Sequence, residues 1–254
     1  MKHLPRFLLA ALSLALTASL GAQSPGAQDR VAASFLLALG RKPTATETEA
    51  WNAEAAQPLA ALLSRHRAKL QNDAEARRAV AMRAVADAFG RAPTAEELAA
   101  SPAGPALYTE LLQRHVASLA ANPDAYREVI ERAYRLVVNR AAYVEEFAYW
   151  KPYGTLPFTL LVGAIENWGQ RNQPGLMVTN GVPSVSVSSR FLSTAWLSPA
   201  VANEARAVIG LPVWSDVARL KNPGCNVVAV GAADIASVGG VHFALAGGGP
   251  LAGR

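Results

Sequence analysis

The sequence predicts the α+β class: an all-α N-terminal region of three degenerate helical repeats, about 50 residues each, followed by a small α+β domain. Three observations predict it. The turn residues Gly40, Gly90 and Asn139 recur at spacings of 50 and 49 residues. Apolar residues fall at helical offsets within each interval, and beyond Gln173 that period gives way to short valine-rich runs bounded by glycine. The chain divides accordingly into a leader over 1–22, a helical repeat region over 23–173, the α+β domain over 174–247 and a flexible glycine-rich tail over 248–254.

The first stretch reads as a secretory signal peptide. Lys2 and Arg6 supply the positive start, 7–20 is apolar and uncharged, and small residues around Ala22 suit cleavage. The apolar run is shorter than the roughly 20 residues that span a bilayer. The expectation is therefore a secreted, periplasmic or cell-surface protein with no stable transmembrane segment after cleavage. Loss of Lys2 and Arg6 takes the formal charge from +5 to +3, and no dense Lys/Arg face with interleaved aromatics follows. That argues against nucleic acid as a partner. The single cysteine, Cys225, cannot make an internal disulfide, so stability must come from packed apolar surface.

Each repeat has the same grammar. An apolar helical run ends at Gly40, Gly90 or Asn139, residues that tolerate the left-handed conformation of a helix C-terminal cap. Arg41, Arg91 or Arg140 follows, where a cation suits the last carbonyls of the helix. Thr44 with Glu47, and Thr94 with Glu97, then form capping boxes for a short second helix; the third repeat keeps Glu146 but has Tyr143 at the cap. A further helix carries Leu59, Leu62, Leu63, His66 and Leu70, matched after 49 residues by Tyr108, Leu111, Leu112, His115 and Leu119, and after 49 more by Pro157, Leu160, Leu161, Ala164 and Trp168. Asn72 and Asn122, 50 apart, are the expected N-caps of the second and third long helices.

The residues Tyr134, Arg135, Arg140, Ala148, Tyr149 and Trp150 set out a Y-R-x-V/L-x-x-R pattern followed by A-Y-W. Over about 31–169 this resembles the DUF4214 type of helical repeat of secreted bacterial proteins, and more remotely the phycobilisome linker domain. The chain has Val138, Asn139 and Arg140 where that type has Leu-Gly-Arg, and the stretch 143–146 where it has D-x-x-G. The resemblance implies an extracellular or surface module without a known catalytic residue set.

In the C-terminal region, alternating valine and serine over 184–188 ahead of Phe191 and Leu192 predict a strand, Ser198 and Pro199 open a helix to about Val208, and 227–230 and 241–246 suit two more strands. Here lie Ser237, His242 and Asp234, the residues a hydrolase would use, although no G-x-S-x-G turn surrounds the serine. An envelope-associated hydrolase built on them is the alternative reading. The paired carboxylates Glu96 with Glu97 and Glu145 with Glu146 point about 100° apart on a helix, so neither pair acts jointly on one bond. His66 and His115 occupy matching repeat positions without the further ligands a metal site needs, and no glycine-rich phosphate loop precedes a helix. No metal site and no cofactor are expected. The recognition candidates are the aromatics Trp51, Tyr149, Trp150, Tyr153 and Trp168, with packing between helices as their competing role. The primary expectation is a non-catalytic structural or interaction module that binds an extracellular protein or polysaccharide.

Overall fold

A computed structural model describes residues 25–100, 104–173, 175 and 199–208. The leader, the three expected strands and the tail lie outside them. The helices are α1 (Pro25–Leu39), α2 (Ala45–Ala50) and α3 (Leu59–Asn72) in the first unit; α4 (Ala74–Phe89), α5 (Ala95–Ala99) and α6 (Tyr108–Ala121) in the second; α7 (Pro123–Val138), α8 (Val144–Trp150) and α9 (Phe158–Asn172) in the third; and α10 (Pro199–Val208). Within each unit the long helix packs along the third helix, and α1 and α4 also meet the third helix of the following unit, α6 and α9.

The turn after each long helix is left-handed, with φ of +66° at Gly40, +69° at Gly90 and 52° at Asn139. The arginine that follows does not reach back to the helix carbonyls, as its position suggested. It turns forward onto the glutamate six residues on. Nη1 and Nη2 of Arg41 donate to Glu47 Oε2 and Oε1 at 2.6 Å each, and Nη1 also donates to the Lys42 carbonyl. Arg91 with Glu97 and Arg140 with Glu146 repeat this two-pronged clasp at 2.6–2.7 Å. The same carboxylates accept the backbone N–H of Thr44, Thr94 and Tyr143, so one glutamate locks both the turn and the start of the short helix. Thr44 and Thr94 complete their boxes; Tyr143 supplies the backbone half alone.

The coupling between units is equally repetitive. Were a Cβ added at Gly40, it would stand 2.6 Å from the Tyr108 ring; at Gly90 it would stand 2.5 Å from Phe158. The hydroxyls of Thr109 and Thr159 donate to the carbonyls of Leu37 and Asp87, and Arg83 and Arg132 donate to the carbonyls of Leu39 and Phe89. Glycine is thus required twice over at 40 and 90, by the sign of φ and by the ring above it. Asn139 has the same backbone form without that requirement and is exposed.

These contacts correct the register of the last helix. Phe158 and Thr159 stand 50 residues after Tyr108 and Thr109, not 49, so His115 corresponds to Ile165 and Leu111 to Leu161. Leu161, Val162 and Ile165 are fully buried, as the core face requires. The N-cap of α4 is Asp73, whose Oδ1 accepts from Ala76 N–H; Asn72 is the last residue of α3. Asn122 caps α7 as expected, accepting from Ala125 N–H.

The predicted α+β class is also corrected. The described residues form helices and no strand. The described part of the expected second domain is α10, and it packs on α1 and α3 of the first unit. Val201 and Ala205 are fully buried there, and Glu204 accepts from Arg30 Nε at 2.7 Å and from Leu59 N–H at 2.6 Å. An apolar face of α10 finds its burial on the end of the repeat stack, as terminal elements of a repeat array do.

Burial separates the three clasps. Glu47 and Glu97 side chains keep 31% and 29% of their exposure, Glu146 only 1%. Arg41→Ala and Arg91→Ala should each cost about 1 kcal/mol. Arg140→Ala should cost about 3 kcal/mol or more, because it strands a buried carboxylate. Urea unfolding of the three variants checks this ranking, and equal losses would show that burial does not govern the clasp.

Candidate functional site

The aromatic residues singled out by sequence assemble into two clusters, one in each outer unit. In the first, Trp51 ends the short helix and is 2% exposed. Its indole stacks on the His66 imidazole at 4.2 Å with 16° between planes, and Phe35 meets both rings edge-on. The guanidinium of Arg65 and the ammonium of Lys69 lie 4.8 and 4.7 Å from the Trp51 ring centre. A half-open cleft of ≈ 310 Å³ runs past this cluster, with Arg41, Glu47 and Asp73 among its lining residues.

His66 sits beneath that cleft with a defined partner. Its Nε2 lies 3.0 Å from Ser34 Oγ, and Ser34 Oγ lies 2.7 Å from the Val31 carbonyl. A carbonyl accepts and cannot donate, so the serine proton goes to Val31 and the imidazole donates to the serine. This is the reverse of the proton flow by which a histidine activates a serine nucleophile. Both side chains are buried, and the pair reads as a satisfied polar contact between α1 and α3. Burial pulls the His66 pKa down to about 3, helped by Lys69, Arg41 and Arg65 and opposed by Glu47.

In the third unit Trp150 is fully buried and donates from Nε1 to the Tyr134 hydroxyl at 3.1 Å. Tyr149 packs edge-on to Trp150 at 5.2 Å, and Tyr153 lies 5.5 Å from Tyr149. Both tyrosines are half-buried against the core. Burial raises the phenols of Tyr134 and Tyr149, and raises Tyr126 to about 12; Tyr126 bridges the Gly154 carbonyl and Leu156 N–H. Trp51 and Trp150 therefore fill space between helices and offer no open ring face, while Tyr149 and Tyr153 stand at the margin. Trp168 belongs to α9, one residue from the core-facing position held by Gly169; its side chain is outside the described residues.

Ser237, His242 and Asp234 lie outside the described residues as well. Among the described residues no group of three or more His, Cys, Asp or Glu side chains stands together as a metal site would, and no helix is long and apolar enough to cross a membrane. Sequence reading passed over Tyr143 and Val144, 43% and 73% exposed at the end of the third unit. Their signal was the loss of the threonine cap: where the other units have polar Thr-Ala, this one has Tyr-Val. No family model matches the chain, and no curated protein or solved structure matches it significantly, so the likeness to the DUF4214 type of repeat rests on its motif residues.

A buried neutral histidine makes stability acid-sensitive. The His66 pKa is lower in the folded state than its ordinary 6.5, so the unfolded chain binds the extra proton and stability falls as pH drops from 6.5 towards about 3. His115, whose pKa burial also lowers, acts in the same direction. Glu47 and Glu97 are held near 2 by their arginines, so the clasps weaken in a lower window as pH falls below 4.5, overlapping that of His66 down to about 3. His66→Gln, which retains a donor for Ser34, should flatten much of the melting-temperature slope between pH 6.5 and 4.5, and between 4.5 and about 3 should leave only the share that the clasps contribute. An unchanged upper slope would exclude His66 as its source.

Proposed function

We propose that the chain is a non-catalytic helical-repeat scaffold of the cell surface or extracellular space that contacts a protein or carbohydrate partner. One observation carries this reading: the polar side chains that could do chemistry recur at fixed repeat positions and are engaged in holding the stack. Arg41, Arg91 and Arg140 clasp Glu47, Glu97 and Glu146, and Arg83 and Arg132 bind the carbonyls of Leu39 and Phe89. A residue used identically in successive units is used for the array. The leader-like start of the chain and the resemblance of 31–169 support the location.

Among the described residues, adjacent large apolar side chains stand exposed at the start of α8, where Tyr143 and Val144 lie beside Arg140, whose guanidinium lies 4.1 Å from the Tyr143 ring. A contact of this composition, an aromatic with an arginine, is the kind that anchors protein interfaces.

Val144→Asp tests the surface without disturbing the fold, since an acid in the first turn of a helix is favoured by the helix dipole. Purified chain should retain a surface protein or envelope polysaccharide in a quantified binding panel, and the variant should lose at least about tenfold of that retention, as loss of a hot-spot contact does. Hydrolysis of esterase, peptidase or glycosidase substrates, abolished by Ser237→Ala or His242→Ala, would overturn the scaffold reading.

A further inference from the structure

The first and third units place a tryptophan at the same position and treat its nitrogen differently. Trp150 donates from Nε1 to the Tyr134 hydroxyl. Trp51 is buried as well, at 2% exposure, but the residue at the place of Tyr134 is Phe35, which has no hydroxyl. The Trp51 indole N–H has no hydrogen-bond partner among the described residues. The His66 imidazole stacked on it uses Nε2 for Ser34 and leaves Nδ1 without a partner among them. Because the Nε2 proton goes to the serine and burial keeps the ring neutral, Nδ1 is a bare acceptor. A buried donor and a buried acceptor on stacked rings, both unmet, call for a further polar group from outside the stack.

Both rings line the half-open cleft of ≈ 310 Å³ in the first unit, and all its lining residues are among the described ones. Phe35, Leu39 and Leu70 give it apolar walls. Its rim departs from the other units in charge. Thr46 stands where they carry Glu96 and Glu145, and Lys69 stands where the second carries Ser118. Of the two carboxylates in the lining, Glu47 is clasped by Arg41, and Asp73 Oδ1 accepts from Ala76 N–H to cap α4. Lys69 has no carboxylate partner among the described residues, and its ammonium lies 4.7 Å from the Trp51 ring centre. An indole N–H requires an acceptor and a neutral Nδ1 requires a donor; a hydroxyl is both through one atom.

We propose that the first unit binds a hydroxylated carboxylate of up to monosaccharide size in this cleft, its hydroxyls accepting from Trp51 Nε1–H and donating to His66 Nδ1, and its carboxylate meeting Lys69. The site lies in the first unit and does not depend on the reading of the α8 surface. Its ligand is defined by chemistry: a free hydroxy acid, or a uronic acid residue of a glycan.

The test uses the whole chain, with glucuronate, lactate, glucose and propionate as probes. The readout is the NMR signal of the Trp51 indole N–H, identified by its absence in Trp51→Phe. A saturable shift is expected with a hydroxy acid, a weaker one with glucose and none with propionate. Lys69→Met, an exposed change, should weaken the acid by about two- to fivefold, as loss of an exposed ion pair does, and leave glucose unaffected. Phe35→Tyr gives Trp51 the acceptor that Tyr134 gives Trp150, and should weaken the acid by about tenfold with no loss of melting temperature. Binding of lactate without glucuronate assigns the cleft to free acids, and the reverse assigns it to uronic acid residues. No saturable shift with either acid, a propionate shift equal to theirs, or unchanged acid affinity in Lys69→Met or in a folded Phe35→Tyr variant would overturn the proposal.

Discussion

The left-handed turn closed by an arginine–glutamate clasp sets the geometry on which the remaining structure depends. A helix that ends in αL reverses the chain sharply, but a single such residue leaves the departing segment free to swing. The guanidinium fork, bonded through both nitrogens to a carboxylate that also accepts the next helix's first N–H, removes that freedom. The short helix then leaves each turn at one angle, and the third helix returns along the long one. Because the same clasp forms at residues 41, 91 and 140, the units share a shape, and equal shapes stack with equal contacts.

Stacking brings a second constraint, and it falls on the turn residue itself. The rings of Tyr108 and Phe158 rest where a Cβ would project from Gly40 and Gly90. The last turn of the series has no such ring placed on it among the described contacts, and there the residue is Asn139, which reaches φ of 52° at the cost of a side chain that would exclude a ring. Among the described residues, the difference between Gly and Asn at one repeat position thus follows whether a ring is stacked on the turn. At the other end α10 lies against α1 and α3, and Glu204 supplies the acceptor that Leu59 N–H needs at the start of α3.

Much of this was legible in the sequence because its causes are local. Helix ends, capping boxes and the apolar period depend on residues within a turn or two, so Gly40, Thr44 and Glu47 announce themselves. What was missed depends on contacts distant in the chain. The forward reach of Arg41 is chosen over the helix carbonyls by the position of a carboxylate six residues away. The spacing alone places the register of α9 one residue early because Pro157, Leu160 and Leu161 also make an acceptable stripe; burial against the preceding unit selects Phe158, Leu161 and Ile165. The helix at 199–208 was recognised but assigned to a separate domain, since nothing in its own composition names the surface that covers Val201 and Ala205. For the aromatics, repeated spacing showed that Trp51 and Trp150 share a role, and the structure makes that role packing.

Function in a degenerate array is to be sought where the repeats disagree, because positions that agree are already explained by stacking. The buried Ser34–His66 pair has Ala84 at the serine's place in the second unit and Ala133 in the third, with Ile165 at the histidine's; that difference exchanges an apolar contact for a satisfied polar one and stays within the core. The Tyr143–Val144 pair exchanges a polar cap for exposed apolar surface. This last change runs against what stability alone favours, since exposed apolar side chains forgo burial. A fold that places threonine at the same position in its other units has the means to avoid it. Its presence therefore points to an occupant outside the stack, and the array supplies what such a site needs: side chains fixed on helices that neighbouring units hold in place.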